Sequence, residues 1–335
     1  MNGAIPGKWP YGAAQQRAGR TMDVTLHLGV HRTGSTTFQS YLRRNAQSFR
    51  DKGVGFWGPR RTRKGLFAGV LPVPGVASGR DLQRRAKGRV QLQLERSAKS
   101  GIQTLMVSDE NLIGSVRDNL RQHMLYPAIG DRMARFAHAF DGRIKEIVLN
   151  VRSHDLYWAS AASYGVCRGH ALPTGRALQA IADSTRTWRD VIADLSCAVP
   201  DAAIWVLPFE EFAGRPDAMF RAGTGIAAPR DTAHEWLNRA PTIANLRDTL
   251  LERGIVPNFS QNDTERWHPF DDDQRAALRE AYADDLHWLM AGADGTATLT
   301  EDPGRKRAGP IPSAGSQTRG HDRHDQQERN LARSG

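Results

Sequence analysis

Leu26-His27-Leu28-Gly29-Val30-His31-Arg32-Thr33-Gly34-Ser35-Thr36-Thr37 reads as the end of a strand, a glycine-punctuated turn and the start of a helix. Before the turn, Val24, Leu26 and Leu28 alternate with Thr25 and His27, the period of a strand. After it, Phe38, Tyr41, Leu42 and Phe49 share one helical face, and Gly53 ends the pattern. A strand that feeds a helix through a short loop gathers unpaired N–H groups at one point. The helix dipole adds partial positive charge there. Ser35, Thr36 and Thr37 supply hydroxyl donors and Arg32 a full charge. These are the residue types of a phosphate cradle. A polar strand-to-helix turn with no ligand is the plainer alternative.

The rest of the chain repeats the strand-then-helix order. Strands are predicted at 24–28, 54–57, 102–107, 144–151 and 203–207. Helical patterns fall at 36–52, 81–98, 127–140, 155–166, 177–196 and 271–290. This alternation predicts an α/β fold, a parallel sheet with helices on both faces. Ligands of such sheets bind beyond the carboxyl ends of the strands.

The spacing Gly29-x-x-x-x-Gly34 imitates the nucleoside-triphosphatase P-loop. That motif continues with a lysine for the β/γ-phosphates and a Ser/Thr for Mg²⁺. Here Ser35 stands in the lysine position, and Arg32 is the only cation in the loop. The loop is thus expected to hold a phosphate but to lack the charge clamp of triphosphate cleavage.

Arg32-Thr33-Gly34-Ser35-Thr36-Thr37 resembles the 5′-phosphosulfate loop of sulfotransferases, which reads Lys/Arg-Ser/Thr-Gly-Thr/Ser-Thr. These enzymes use 3′-phosphoadenosine 5′-phosphosulfate (PAPS). The flanks, Leu-His-Leu-Gly before the loop and Phe-Gln-Ser-Tyr-Leu after it, are similar to bacterial members. A second stretch adds to the resemblance. The apolar run 144–151 is followed by Arg152, and Ser160 lies eight residues further on. Alone, these are a strand-end arginine and a helix serine; their pairing with the loop carries the reading. Residues 204–212 with Pro216, and the stretch 270–289, resemble the late strand and terminal helix of the family, so that the likeness spans 23–290.

The resemblance implies a P-loop-like sulfotransferase architecture and an in-line transfer of a sulfuryl group from PAPS to a hydroxyl. It implies that Arg32, Thr33, Gly34, Ser35, Thr36 and Thr37 hold the 5′-phosphosulfate. Arg32 would neutralise the bridging oxygen, and Arg152 and Ser160 would bind the 3′-phosphate through bidentate and hydroxyl bonds. The acceptor class is a carbohydrate or glycolipid hydroxyl, including anionic carbohydrate, and no metal is required. Arg266 and Arg305 are candidates for a third 3′-phosphate ligand, without a matching motif.

Hydroxyl transfer needs a base. Family members use a glutamate or a histidine, at positions that vary. The strand 102–107 is followed by Ser108-Asp109-Glu110-Asn111. Glu110 is the first choice of base, with Asp109 and His31 as alternatives. A carboxylate stabilised at a helix start would give Glu110 the same position. His31 adjoins Arg32 and is also a candidate donor to the sulfonate. His123, His138, His154 and His170 lack metal-ligand spacing and are expected at the surface or in packing; Trp188 is expected in the core.

Composition narrows the classes. No stretch of about 18 apolar residues occurs, so no membrane span is expected. Cys167 and Cys197 are too few for a disulfide framework. Residues 1–22 lack the apolar block of a secretory signal, and a cytoplasmic location is the expectation. The net charge of +10 divides as +3 in 1–22, +4 in 303–335 and +3 in 23–302. The two ends therefore read as flexible basic tails flanking one α/β domain. Only seven of the 46 basic residues are lysine, a compositional bias and no sign of specific nucleic-acid binding. Within the domain, residues 58–90 form a cation-rich insertion, read either as a cleft wall for an anionic acceptor or as a solvated surface segment. Two other functions compete with the sulfotransferase reading. One is a P-loop phosphotransferase or nucleotide kinase, the other a non-catalytic module that binds a polyanion through the basic insertion and tails.

Overall fold

The computed structural model describes residues 22–72, 79–233, 236–259 and 262–301, all within one compact unit that ends at Glu301. In chain order the elements are β1 (Asp23–His27), α1 (Ser35–Arg44), α2 (Ala46–Arg50), β2 (Val54–Trp57), α3 (Pro59–Arg61), α4 (Gly79–Lys99), β3 (Thr104–Ser108), α5 (Val116–Gln122), α6 (Ile129–Phe140), β4 (Ile144–Val151), α7 (His154–Cys167), α8 (Gly175–Ala182), α9 (Trp188–Ala198), β5 (Ala203–Pro208), α10 (Phe209–Phe212), α11 (Pro216–Thr224), α12 (Ile243–Leu251), α13 (Asp272–Met290) and β6 (Thr298–Leu299). The six strands among the described residues form one all-parallel sheet in the order β2-β3-β1-β4-β5-β6.

The sheet is covered on both faces, and the strand period sorts its side chains. Leu105 and Val107, Ile147 and Leu149, and Ile204 and Val206 join one core with Ala86 and Val90 of α4, Met133 and Phe136 of α6, and Val191 and Leu195 of α9. The alternate residues Met106, Val148 and Leu207 join a second core with Phe38 of α1, Phe49 of α2 and Phe220 of α11. Each fully buried aliphatic side chain here contributes about 1.5–3 kcal/mol relative to exposure. In β1 the second face is polar. Thr25 Oγ1 donates to the Gly223 carbonyl of α11 at 3.0 Å. That approach needs glycine, since a Cβ on Gly223 would lie 2.7 Å from Val148 Cγ2.

The strand order fixes where a ligand can sit. From β1 the chain runs outward to β2, and from β4 it runs the opposite way to β5. The connections part between β1 and β4 and leave a crevice beyond their carboxyl ends. Both predicted phosphate motifs start there.

Several expectations need correction. The helix predicted over 177–196 is two helices, because Thr187 and Asp190 form a capping box that starts α9 afresh. The helix predicted over 36–52 breaks at Asn45, whose Nδ2 donates back to the Tyr41 carbonyl at 3.0 Å. Met22, assigned to the N-terminal tail from the sequence, is buried in the core. The sixth strand, α5, α11 and α12 were not predicted. The proposed tails lie outside the described residues, except Met22, as do 73–78 of the basic insertion. Within that insertion Arg89 donates to the carbonyls of Leu66 and Ala68, and Lys87 pairs with Asp141. These two cations hold the segment to the domain. No helix among the described residues is long and apolar enough to cross a membrane.

Candidate functional site

The loop after β1 is built from unusual backbone. Gly29, Arg32 and Gly34 have φ of +37°, +68° and +83°. Gly29 has no room for a side chain, since a Cβ would lie 2.3 Å from His27 Cε1 and 2.6 Å from Ser35 Oγ. A non-glycine residue at positive φ costs free energy and tends to mark a functional turn. The N–H groups of residues 33–37 have no protein acceptor among the described residues. They are the unpaired donors of the α1 N-terminus.

Not all the loop hydroxyls turn outward. Thr33 Oγ1 donates to the Val30 carbonyl at 2.5 Å and Ser35 Oγ to the Gly29 carbonyl at 2.6 Å. A loop this tight leaves carbonyls with no backbone partner, and these two side chains satisfy them. Thr37 Oγ1 accepts from the Leu237 N–H at 3.0 Å. The Thr36 hydroxyl has no hydrogen-bond partner among the described residues.

The second motif is joined directly to the loop. Arg32 Nε donates to Ser160 Oγ of α7 at 3.1 Å. Arg152 Nη1 donates to the Arg32 carbonyl at 3.0 Å. The Arg32 guanidinium lies 5.0 Å from the Tyr164 ring, and that of Arg152 lies 4.6 Å from the Phe209 ring. Trp188, in the core as expected, donates its Nε1–H to the Arg152 carbonyl at 2.7 Å and so fixes its backbone. Arg152 is buried, yet its Nε has no hydrogen-bond partner. Burial pulls its pKa down to about 10, which Glu210 opposes and Arg266 and Arg32 reinforce. Burial and then Arg266, against Tyr164, act in the same way on Arg32. Arg32 and Arg152 thus sit together, each repelled by Arg266, at a crevice with an unsatisfied donor, which is the electrostatic complement of an anion.

Glu110, Asp109 and His31 lie on the other side of the loop. Glu110 Oε2 accepts from Gln39 Nε2 of α1 and Oε1 from Arg63 Nη2, both at 2.9 Å. Burial alone would raise its pKa; the backbone N–H, Gln39 and Arg63 outweigh that and hold it below the usual value. Asp109 is held more tightly than Glu110. It is buried and accepts from Thr62 Oγ1 at 2.5 Å, from Arg63 Nη2 at 2.6 Å and from the Asn111 N–H at 3.1 Å. It caps the turn Glu110–Leu112 and ties down residues 62–63. His31 Nδ1 contacts Tyr126 Oη at 2.9 Å and Nε2 contacts Asn111 Oδ1 at 3.1 Å.

Beneath the loop lies His27, fully buried between Ser108 Oγ at 2.8 Å and Asn150 Oδ1 at 3.1 Å. Burial lowers its pKa from 6.5 to about 4, against the pull of Asn150 and Glu110. The unfolded chain therefore binds the extra proton first. His27 contributes its full stability above pH 6.5 and loses it as pH falls toward 4, about 3 kcal/mol in all. Urea unfolding at pH 7.5 and at pH 5 should show about 2 kcal/mol of this loss in the wild type. A His27→Gln protein should show a shallower slope; an equal slope would refute the assignment.

Gln39, Arg63, Asn111, Tyr126, Tyr164, Phe209 and Glu210 were not predicted in the site. Two carried a signal: Gln39 is one helical turn past Ser35, and Tyr164 one turn past Ser160. Arg266, left without a motif, joins the arginine group through its effect on Arg32 and Arg152. Among the described residues no group of three His, Cys, Asp or Glu side chains is placed to hold a metal ion. An apolar recess of about 150 Å³, lined by Leu42, Phe49, Val54, Phe56, Met106 and Phe220, lies toward the far end of α1 from the loop. The polar chemistry described above is not there.

No protein-family model matches this sequence, and no curated protein matches it significantly.

Proposed function

We propose that this chain is a sulfotransferase that moves a sulfuryl group from PAPS to an acceptor hydroxyl by in-line transfer. The observation that carries the reading is the union of two motifs far apart in sequence. Arg32 bonds Ser160 and Arg152 bonds the Arg32 carbonyl, and the buried Arg152 Nε is left without an acceptor. An anionic nucleotide with two separate phosphate positions would meet both halves. The bound donor supplies a sulfuryl group already activated by its mixed anhydride with phosphate.

The chain's own residues have distinct tasks in this reading. The N–H groups of 33–37, Thr36, Thr37 and the Arg32 guanidinium receive the 5′-phosphosulfate end; Thr33, Gly34 and Ser35 shape the loop. Arg152 and Ser160 receive the 3′-phosphate. Glu110 takes the acceptor proton, in exchange for one of its bonds to Arg63 or Gln39. Oriented donors on a group that gains negative charge stabilise the transition state. The acceptor class is a carbohydrate or glycolipid hydroxyl. The phosphotransferase alternative has less support, since the loop holds no lysine and Ser35 is spent on the Gly29 carbonyl. The polyanion-binding alternative draws partly on tails outside the described residues.

Calorimetric titration with 3′-phosphoadenosine 5′-phosphate, beside ADP and AMP, tests the proposal. Micromolar binding that falls by about tenfold or more without the 3′-phosphate, about 1.4 kcal/mol, is the expected result. Equal affinity for ADP would overturn it, and Mg²⁺-dependent ATP turnover would favour a phosphotransferase.

A further inference from the structure

The proton on His31 can be located from the hydrogen bonds around it. The Tyr126 N–H donates to Asn119 Oδ1 at 3.1 Å, which identifies the two ends of that amide. Asn119 Nδ2 therefore donates to Tyr157 Oη at 2.8 Å. Tyr157 gives its one hydroxyl hydrogen to Tyr126 Oη at 3.3 Å. Tyr126 Oη also accepts from the His31 backbone N–H at 3.1 Å. Its two acceptor positions are then filled, and its own hydrogen has one partner left, His31 Nδ1 at 2.9 Å. Nδ1 is an acceptor, so a neutral ring carries its proton on Nε2 and donates to Asn111 Oδ1 at 3.1 Å.

The direction of this chain is protected. Asn119, Tyr126 and Tyr157 are each at most 1 % exposed. Burial pushes the Tyr157 phenol up to about 12 and that of Tyr126 well above its ordinary value, so neither releases its proton near neutrality. Burial also keeps His31 below its ordinary value. The Asn111 bond, Glu110 and Asp109 oppose this, and Arg63 reinforces it.

We propose that Asn119, Tyr157 and Tyr126 are positioning residues that hold His31 as an uncharged hydrogen-bond donor beside Arg32. His31 then serves the site by turning Nε2–H from Asn111 Oδ1 to an anionic oxygen when one arrives, and it does not take a proton from the acceptor. The identity of that oxygen rests on the sulfotransferase reading; the protonation of the ring does not. With Asp109 consumed by Thr62, Arg63 and the Asn111 N–H, proton removal falls to Glu110.

Long-range ¹H–¹⁵N correlation on protein labelled at its 11 histidines, with His31 assigned by a His31→Gln variant, tests this at pH 7.5. The expected wild-type spectrum shows His31 neutral with Nε2 protonated. In Tyr126→Phe the neutral ring loses its Nδ1 donor. The tautomers should mix, and loss of a bond that favours the neutral ring should shift the His31 pKa upward. Protonation at Nδ1 in the wild type, a charged ring at pH 7.5, or a folded Tyr126→Phe protein with an unchanged His31 would each overturn the proposal. Should Tyr126→Phe fail to fold, the wild-type tautomer decides alone. Nucleotide selectivity does not enter this measurement, so a failed donor assignment and a failed tautomer assignment remain separate results.

Discussion

Replacing Asp285 with alanine should lower the free energy of unfolding by about 3–5 kcal/mol. Asp285 belongs to α13 but accepts bonds from two other helices. Thr187 Oγ1 donates to it at 2.6 Å, the Trp188 N–H at 3.0 Å and the Arg189 N–H at 3.1 Å, all at the N-terminus of α9. His154 Nε2 of α7 adds a contact at 2.9 Å. The carboxyl is 3 % exposed, so water cannot readily replace it. Its loss strands donors of α7 and α9 together, and a buried unsatisfied donor costs about 1–3 kcal/mol. Asp285→Asn keeps the shape but offers only one acceptor oxygen, and should fall between. Urea unfolding monitored by tryptophan fluorescence reads the effect. A loss below about 1 kcal/mol in Asp285→Ala would show that the helix junction relaxes around the gap.

Arg152→Ala should weaken binding of 3′-phosphoadenosine 5′-phosphate about a hundredfold, or about 3 kcal/mol, while the chain still folds. The wild-type arginine is held at a cost: it is buried, repelled by Arg32 and Arg266, and short of one acceptor. An arriving phosphate compensates the buried charge, offsets the repulsion and supplies the missing acceptor, which is why the effect is large. Arg152→Lys keeps a charge but not the planar two-pronged donor, and should recover only part of the loss. Titration calorimetry beside circular dichroism separates binding from folding. An affinity within threefold of the wild type in a folded Arg152→Ala protein would remove Arg152 from the ligand site.

What the sequence made legible was what its local period encodes. Strands such as 144–151 announced themselves as apolar runs, and Arg152 followed from its place at the strand's end. Strand β6 has two residues and no period to detect. The α8–α9 break was missed because apolar residues continue at helical spacing through the capping box at Thr187. In the site, Arg32, Arg152 and Ser160 were accessible because each follows a strand at a short, fixed distance. Tyr126 was not, because its role arises from meeting His31, 95 residues away in sequence. The inward turn of Thr33 and Ser35 was equally hidden, for it depends on which loop carbonyls lack partners. Sequence reports a residue's chemistry; the number of competing partners is a property of the folded neighbourhood.

The position of β1 in the sheet has a consequence for how the polypeptide could be divided. The first strand among the described residues is an interior one, flanked by β3 and β4. A cut at Gly142, an exposed left-handed turn residue between α6 and β4, would separate β2, β3 and β1 from β4, β5 and β6. Each piece would then expose one raw ladder edge, of β1 on the first and of β4 on the second, and the two edges are complementary in register. Arg32 would lie on one piece and Arg152 on the other. The crevice is in this sense a two-key lock whose keys lie on separable halves of the chain, and ligand capture by a mixture of the two pieces would signal that the halves had been reunited.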